Sequence, residues 1–255
     1  MVSSSLLRAQ IEATLAPRVP AAFTTGERCA KPLQRIGLAA LDRLLGGGLP
    51  VGTVCELTGP ECSGRTSLAI SLLAQVTGRG STCAWIDVAD SLDPESAAAA
   101  GVDLARLLWV RCGETDAPKK ARQRKPWSRL DQALRAADLV LQAGGFGVIV
   151  FDMGSVAPEH ALRVPLASWF RFRQGAERTQ STFLLLSQTS CAKSCAAVRL
   201  RLDRITTQHE NQRVMSELRL QAELVRDRNR DFIMGKKPAG SVAAWSQRTS
   251  WVGGI

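Results

Sequence analysis

The feature that most restricts this chain is the run Gly59, Pro60, Glu61, Cys62, Ser63, Gly64, Arg65, Thr66, Ser67, set between an extended apolar run ending at Leu57 and a helical pattern over residues 67–76. Its spacing is that of a nucleotide phosphate loop, G-x-x-x-x-G-K-[ST], with Arg65 in the lysine position. The physics of that pattern is simple. Glycines let backbone N–H groups curl inward as an anion nest, the following helix presents its positive end, and a hydroxyl in the first turn holds Mg²⁺. Such a strand–loop–helix unit belongs at the carboxyl end of a strand in a parallel sheet, so it sets the fold class first. Lysine is a compact ammonium and arginine a wider planar fork, and the two do not substitute freely in a tight cradle. The nest and Thr66 are kept while the central cation is changed.

The rest of the chain continues an α/β alternation. Leu38, Leu41, Leu44 and Leu45 recur at helical spacing before Gly46, Gly47 and Gly48. Strands are expected at residues 51–57, 82–88, 108–111, 147–151 and 183–187, and helices at 94–107, 130–142 and 166–178. Uninterrupted apolar strands of this kind sit in a mostly parallel sheet covered by helices on both faces. Residues 197–205 and 217–226 differ: Val198, Leu200, Leu202 and Leu218, Leu220, Ala222, Leu224 alternate, as in antiparallel hairpin strands. Three parts follow. Residues 1–32 are an appendage with a short helix carrying Leu7, Ile11 and Leu15, residues 33–230 form the core domain, and residues 231–255 form a tail with room for an edge strand.

Asp152, ending the apolar run Val148-Ile-Val-Phe151, is in place to organise Mg²⁺ beside Thr66. The blocks 37–68, 84–108 and 148–157, with residues 184–188 and 198–205 in the same order, resemble the core of bacterial RecA. The resemblance spans roughly residues 33–230 and implies a RecA-like phosphate-loop fold with ATP and Mg²⁺ as cofactors. It also makes Gln188 the counterpart of the glutamine that senses the γ-phosphate. The departures are pointed. Ala89 stands where the resemblance puts the glutamate that activates water, Asp90 is its one near substitute, and Ser96 stands where an aromatic stacks on adenine. A methyl group neither orients nor deprotonates water, and lost acid–base help costs about 10²–10⁴-fold. Only residues 189–198 separate Gln188 from the next strand, too few for a long DNA-binding loop, and no counterpart of RecA's basic C-terminal domain is expected.

A second feature lies in an insertion: Lys119, Lys120, Arg122, Arg124, Lys125 and Arg129 place six positive charges around Trp127. Lysine and arginine release counter-ions from phosphates, and Trp127 suits stacking on an exposed base. The formal charge of +10 agrees with a polyanionic or acidic neighbour. A solvated loop is the plain alternative. Cys191 and Cys195 share a helix face on spacing alone, but no second ligand pair accompanies them. No apolar run reaches the roughly 20 residues that span a bilayer. The first residues carry no export signal, so a cytoplasmic location away from membranes is expected.

Small RecA relatives with eroded nucleotide sites form the ImuA group, which this chain resembles in its altered phosphate loop, its missing glutamate and its basic charge. That resemblance implies an accessory role in the DNA-damage (SOS) response and in error-prone translesion synthesis. Its partners would be a Y-family polymerase-like protein, RecA, or both, with DNA reached directly or through the complex and self-association left open. Two alternatives stand beside it: a working DNA-dependent ATPase or recombinase using Arg65 and Asp90, and a nucleotide-responsive regulator of cell division in the SOS response.

Overall fold

The apolar runs pair side by side, and the helices between them cover both faces of the resulting sheet. The computed structural model describes residues 31–113, 126–210, 214–228 and 241–248. The first half contains β1 (Leu33–Gln34), α1 (Ala39–Leu44), β2 (Leu49–Pro50), β3 (Val54–Thr58), α2 (Arg65–Thr77), β4 (Thr82–Asp87), α3 (Pro94–Ala99) and β5 (Leu107–Arg111). Then come α4 (Pro126–Ala143), β6 (Phe146–Asp152), α5 (Pro158–Ala161), α6 (Leu166–Thr179) and β7 (Thr182–Ser187). Three strands close the described chain, β8 (Ala196–Glu210), β9 (Val214–Asp227) and β10 (Ser241–Arg248).

The main sheet has the order β10-β9-β8-β3-β7-β6-β4-β5, and β1 with β2 forms a small antiparallel pair. Pairings from β8 to β5 are parallel, while β8–β9 and β9–β10 are antiparallel. On one face Cys55, Leu57, Trp85 and Val150 pack with Leu68, Leu72, Leu73 and Val76 of α2. On the other, Val54, Ile86, Ile149 and Phe151 meet Leu134 and Leu141 of α4 and Trp169 and Phe172 of α6. Phe172 and Phe183 stack there with centroids 5.2 Å apart. Burial on both faces is why these strands read as continuous apolar runs. In β8 and β9 the alternating apolar residues face the α2 side. Val198, Leu200, Leu202, Ala222 and Leu224 join that core, and Arg201 pairs with Glu223 on the outer face.

Two expectations need correction. The helix expected over residues 94–107 ends at Ala99, because Gly101 turns the chain at φ +93 and Asp103 caps a separate 3₁₀ turn, Leu104–Arg106, accepting from Ala105 N. An alanine run favours helix but does not overrule that turn. Residues 188–195, which were to carry Cys191 and Cys195 on one helix face, contain no helix. The edge strand for which residues 231–255 left room is β10, which lies on β9 with Ala243 in the core. The N-terminal helix with Leu7, Ile11 and Leu15 falls outside the described residues. No helix among the described residues is long and apolar enough to cross a membrane.

Candidate functional site

The phosphate loop sits where β3 passes into α2, at the carboxyl end of a central parallel strand, which is where open α/β sheets bind ligands. Gly59 is required by space: a Cβ there would lie 2.3 Å from the Leu202 carbonyl oxygen and 2.7 Å from Ser63 Oγ. Gly64 is required by conformation, being the N-cap of α2 at φ 88 with no side-chain cap on the helix. Cys62 is also left-handed, at φ 59. Pro60, Glu61 and Cys62 are exposed on the loop, and Thr66 and Ser67 are exposed on the first turn of α2. The loop thus has glycines where space and left-handed backbone require them, with the uncapped amide end of α2 behind it.

Arg65 does not reach outward. It is 7% exposed, and its Nη2 donates to the Gly154 carbonyl at 3.1 Å. The Gln188 amide donates to the same carbonyl at 3.2 Å, and the Gly154 N–H donates to Asp152 Oδ1 at 2.8 Å. Three residues singled out separately in the sequence, Arg65, Asp152 and Gln188, therefore converge on one backbone turn. Gly154 permits the convergence, since a Cβ would lie 3.0 Å from Asp152 Oδ1 and 3.5 Å from Arg65 Nη2. Burial lifts the Asp152 carboxyl to about 6, and neighbouring Asp87 adds to the rise against the Gly154 N–H and Arg65. Burial also pushes the Arg65 guanidinium below its ordinary value, opposed by Asp152, Glu61 and Cys62. Two polar atoms of the loop, Ser63 Oγ and Arg65 Nη1, are buried without a hydrogen-bond partner.

The turn after β4 is arranged by Asp87, which pairs across the sheet with Asp152. Its buried carboxylate accepts from Ala89 N, Ser91 N, Leu92 N and Trp109 Nε1 at 2.8–3.3 Å. Ala89 therefore gives this turn a backbone donor and no acid. Asp90, the near substitute, is held by both nitrogens of a fork from Arg111 at 2.6 Å, which keeps its carboxyl below the ordinary range. Ser96 serves α3 instead of a base, donating its hydroxyl to the capping Asp93.

The passage from β7 to β8 is equally specific. These strands flank β3, and residues 188–195 carry the chain back between them in fewer than the dozen or so residues such crossovers ordinarily use. Without a helix, the crossover's N–H groups need acceptors. Glu56, fully buried in β3, supplies them: it accepts from Cys191 N at 2.7 Å, Ala192 N at 3.0 Å, Ser190 Oγ at 2.9 Å and Arg199 Nε at 2.8 Å. The basic run cannot be placed in full. Lys119, Lys120, Arg122, Arg124 and Lys125 lie outside the described residues. Trp127 falls by its backbone in the first turn of α4, and Arg129 is exposed, with its charge acting on Asp90.

The residues present suit a phosphoryl anion: an uncapped helix end, a curled loop and two buried polar atoms without partners. They suit Mg²⁺ less well, because Asp152 Oδ1 is already taken by an N–H and a guanidinium lies alongside. No group of three or more His, Cys, Asp or Glu that would hold a metal occurs among the described residues, Cys191 and Cys195 included. Sequence reasoning missed Gly154, Asp87 and Glu56. A glycine two residues past Asp152 was a usable signal, as was a lone acid inside the apolar strand Val54–Thr58.

Residues 24–163 match the model of the RecA N-terminal domain. The chain is similar to the DNA repair protein recA homolog 3, mitochondrial, of Arabidopsis thaliana, 35% identical over 167 residues that make up 62% of this chain and 35% of that one. It is also similar to protein RecA of Pseudomonas fluorescens (strain SBW25), 38% identical over 127 residues, 49% of this chain and 32% of that one. The chain spans about a third of the length of these curated relatives. Among solved structures, the RadB recombinase shares the fold at a TM-score of 0.56 and 19% identity, covering 83% of this chain and 94% of that one.

Proposed function

This chain belongs to the RecA N-terminal domain family, and from that premise we propose that it serves DNA repair as an accessory protein that holds partners rather than as a motor. The observation that carries the reading is the inward turn of Arg65 onto the Gly154 carbonyl at 3.1 Å, in a site where Ala89 stands at the water-activating position. The acids of the turn after β4 are both committed: Asp87 organises its own turn and Asp90 is held by Arg111. The crossover after β7 is short and tied to Glu56, which argues against a long DNA-gripping loop at that place.

The role is of the ImuA kind, in the SOS response, supporting error-prone synthesis past lesions. Its partner is a Y-family polymerase-like protein, RecA, or both, with DNA contacted through the complex or directly by the run from Lys119 to Arg129. A net charge of +10 suits work beside a polyanion. The test is direct binding between purified proteins. The chain, mixed in turn with the Y-family polymerase-like protein and with RecA of its own organism, is expected to co-elute with at least one. Separate elution from both, at concentrations that would populate a micromolar complex, defeats the proposal.

A further inference from the structure

We infer that Arg65 stands in for the divalent cation, so that the loop takes the phosphate tail of a nucleotide or an inorganic polyphosphate without Mg²⁺. This rests on reading the loop as a retained phosphate cradle. Four observations carry it. The guanidinium is buried at the end of β6, on the same side of Gly154 as Asp152 Oδ1, where the acid would otherwise organise a metal. Asp152 Oδ1 is engaged by the Gly154 N–H, and the Gly154 carbonyl is engaged by Arg65 and Gln188. The guanidinium is thus fastened to the same turn that engages Asp152.

The third observation is that Arg65 Nη1 has no partner although buried, and neither has Ser63 Oγ within the loop. Orphaned buried donors are costly, and a phosphoryl group at the amide end of α2 would bring oxygens that such donors lack. The fourth is chemical. Arginine stays charged at every physiological pH, so the compensation is permanent, whereas Mg²⁺ demands near-octahedral oxygen ligands and is repelled by an adjacent cation. Arginine's fork also grips phosphate by two parallel hydrogen bonds where a lysine offers a point charge. Ser96 is occupied in capping α3, so the base finds no ring at that position, and the phosphates provide the recognition.

The test is calorimetric titration of the full chain with ATP and, separately, with inorganic tripolyphosphate, each in Mg²⁺ buffer and in EDTA. The dissociation constant for a bound probe is expected to agree between the two buffers within a factor of about two. Tripolyphosphate matching ATP identifies the phosphates as the whole ligand; ATP binding alone identifies a nucleotide; either supports the proposal when insensitive to EDTA. In Arg65→Lys the compact ammonium vacates the slot, and affinity should fall about tenfold or more on removing Mg²⁺. Wild-type binding that weakens about tenfold in EDTA overturns the metal-free claim and leaves the cradle standing. Absence of binding by both probes in both buffers overturns the cradle as well. The wild-type comparison needs no variant to fold, and neither outcome touches the partner experiment above.

Discussion

Replacing Glu56 by alanine should loosen the crossover between β7 and β8 more than any loop substitution would. The side chain is fully buried and accepts four hydrogen bonds, two of them from backbone N–H groups of Cys191 and Ala192 that are themselves buried. Each buried donor left without a partner costs about 1–3 kcal/mol. Arg199, with a side chain 20% exposed, loses its carboxylate as well. Breaking one side of a buried ion pair typically costs about 3–5 kcal/mol, which sets the expected loss for Glu56→Ala. Domains hold together by only about 5–15 kcal/mol, so this is a large share of the total. The assay is urea unfolding followed by tryptophan fluorescence, with hydrogen exchange at residues 191 and 192. At a slope near 2 kcal/mol per molar urea, the midpoint should fall by roughly 1.5–2.5 M. Glu56→Gln keeps an acceptor for the two amides and should lose about 1–3 kcal/mol. A midpoint shift for Glu56→Ala below roughly 0.5 M, with amide protection unchanged, would refute the idea that this carboxylate fastens the crossover.

Asp152 gives a pH signature. Its carboxyl stands at about 6 in the folded chain against an ordinary 3.8, so the fold keeps this proton where the unfolded chain has released it. The group's contribution is fully present below its unfolded value and is lost as pH rises through about 6, a decline of about 3 kcal/mol across that window. Asp152→Asn should flatten that part of the stability curve, and an unchanged slope in denaturation between about pH 4 and 6 would contradict the assignment. Gly59→Ala would press its methyl to 2.3 Å from the Leu202 carbonyl, forcing the loop to move, and phosphate binding by titration should be lost even where the protein still folds. Neutralising Lys119, Lys120, Arg122 and Arg124 together should weaken single-stranded DNA binding and flatten its salt dependence by roughly 0.7 in slope for each contact removed; unchanged affinity and slope would leave the run a solvated loop.

Much of the fold could be read in the sequence because its physics is local. Four- to seven-residue apolar runs such as Phe183-Leu184-Leu185-Leu186 signal strands buried on both faces, and the alternation in β8 and β9 signals one covered face. The phosphate loop was legible for the same reason: glycines at Gly59 and Gly64 answer to constraints within a few residues of themselves. What escaped depends on distant partners. Glu56 is an acid in an apolar strand, and the groups that satisfy it lie 134–143 residues further on. Arg65 was recognised as a changed cation, but its direction is set by the Gly154 carbonyl, 89 residues away. The division of the helix expected over residues 94–107 turned on Gly101, whose left-handed turn an alanine run conceals. Asp90 looked free to serve as a base until the fold brought Arg111 against it.

The proposed role rests on a phosphate cradle kept without the groups that drive hydrolysis, and steady-state ATP turnover on single-stranded DNA tests it most directly. With Ala89 at the acid's position and Arg65 bound to Gly154, DNA should leave the rate at the level of buffer. DNA-stimulated turnover of about 1 s⁻¹ or more, abolished by Asp152→Asn, would show a working motor and contradict the reading outright.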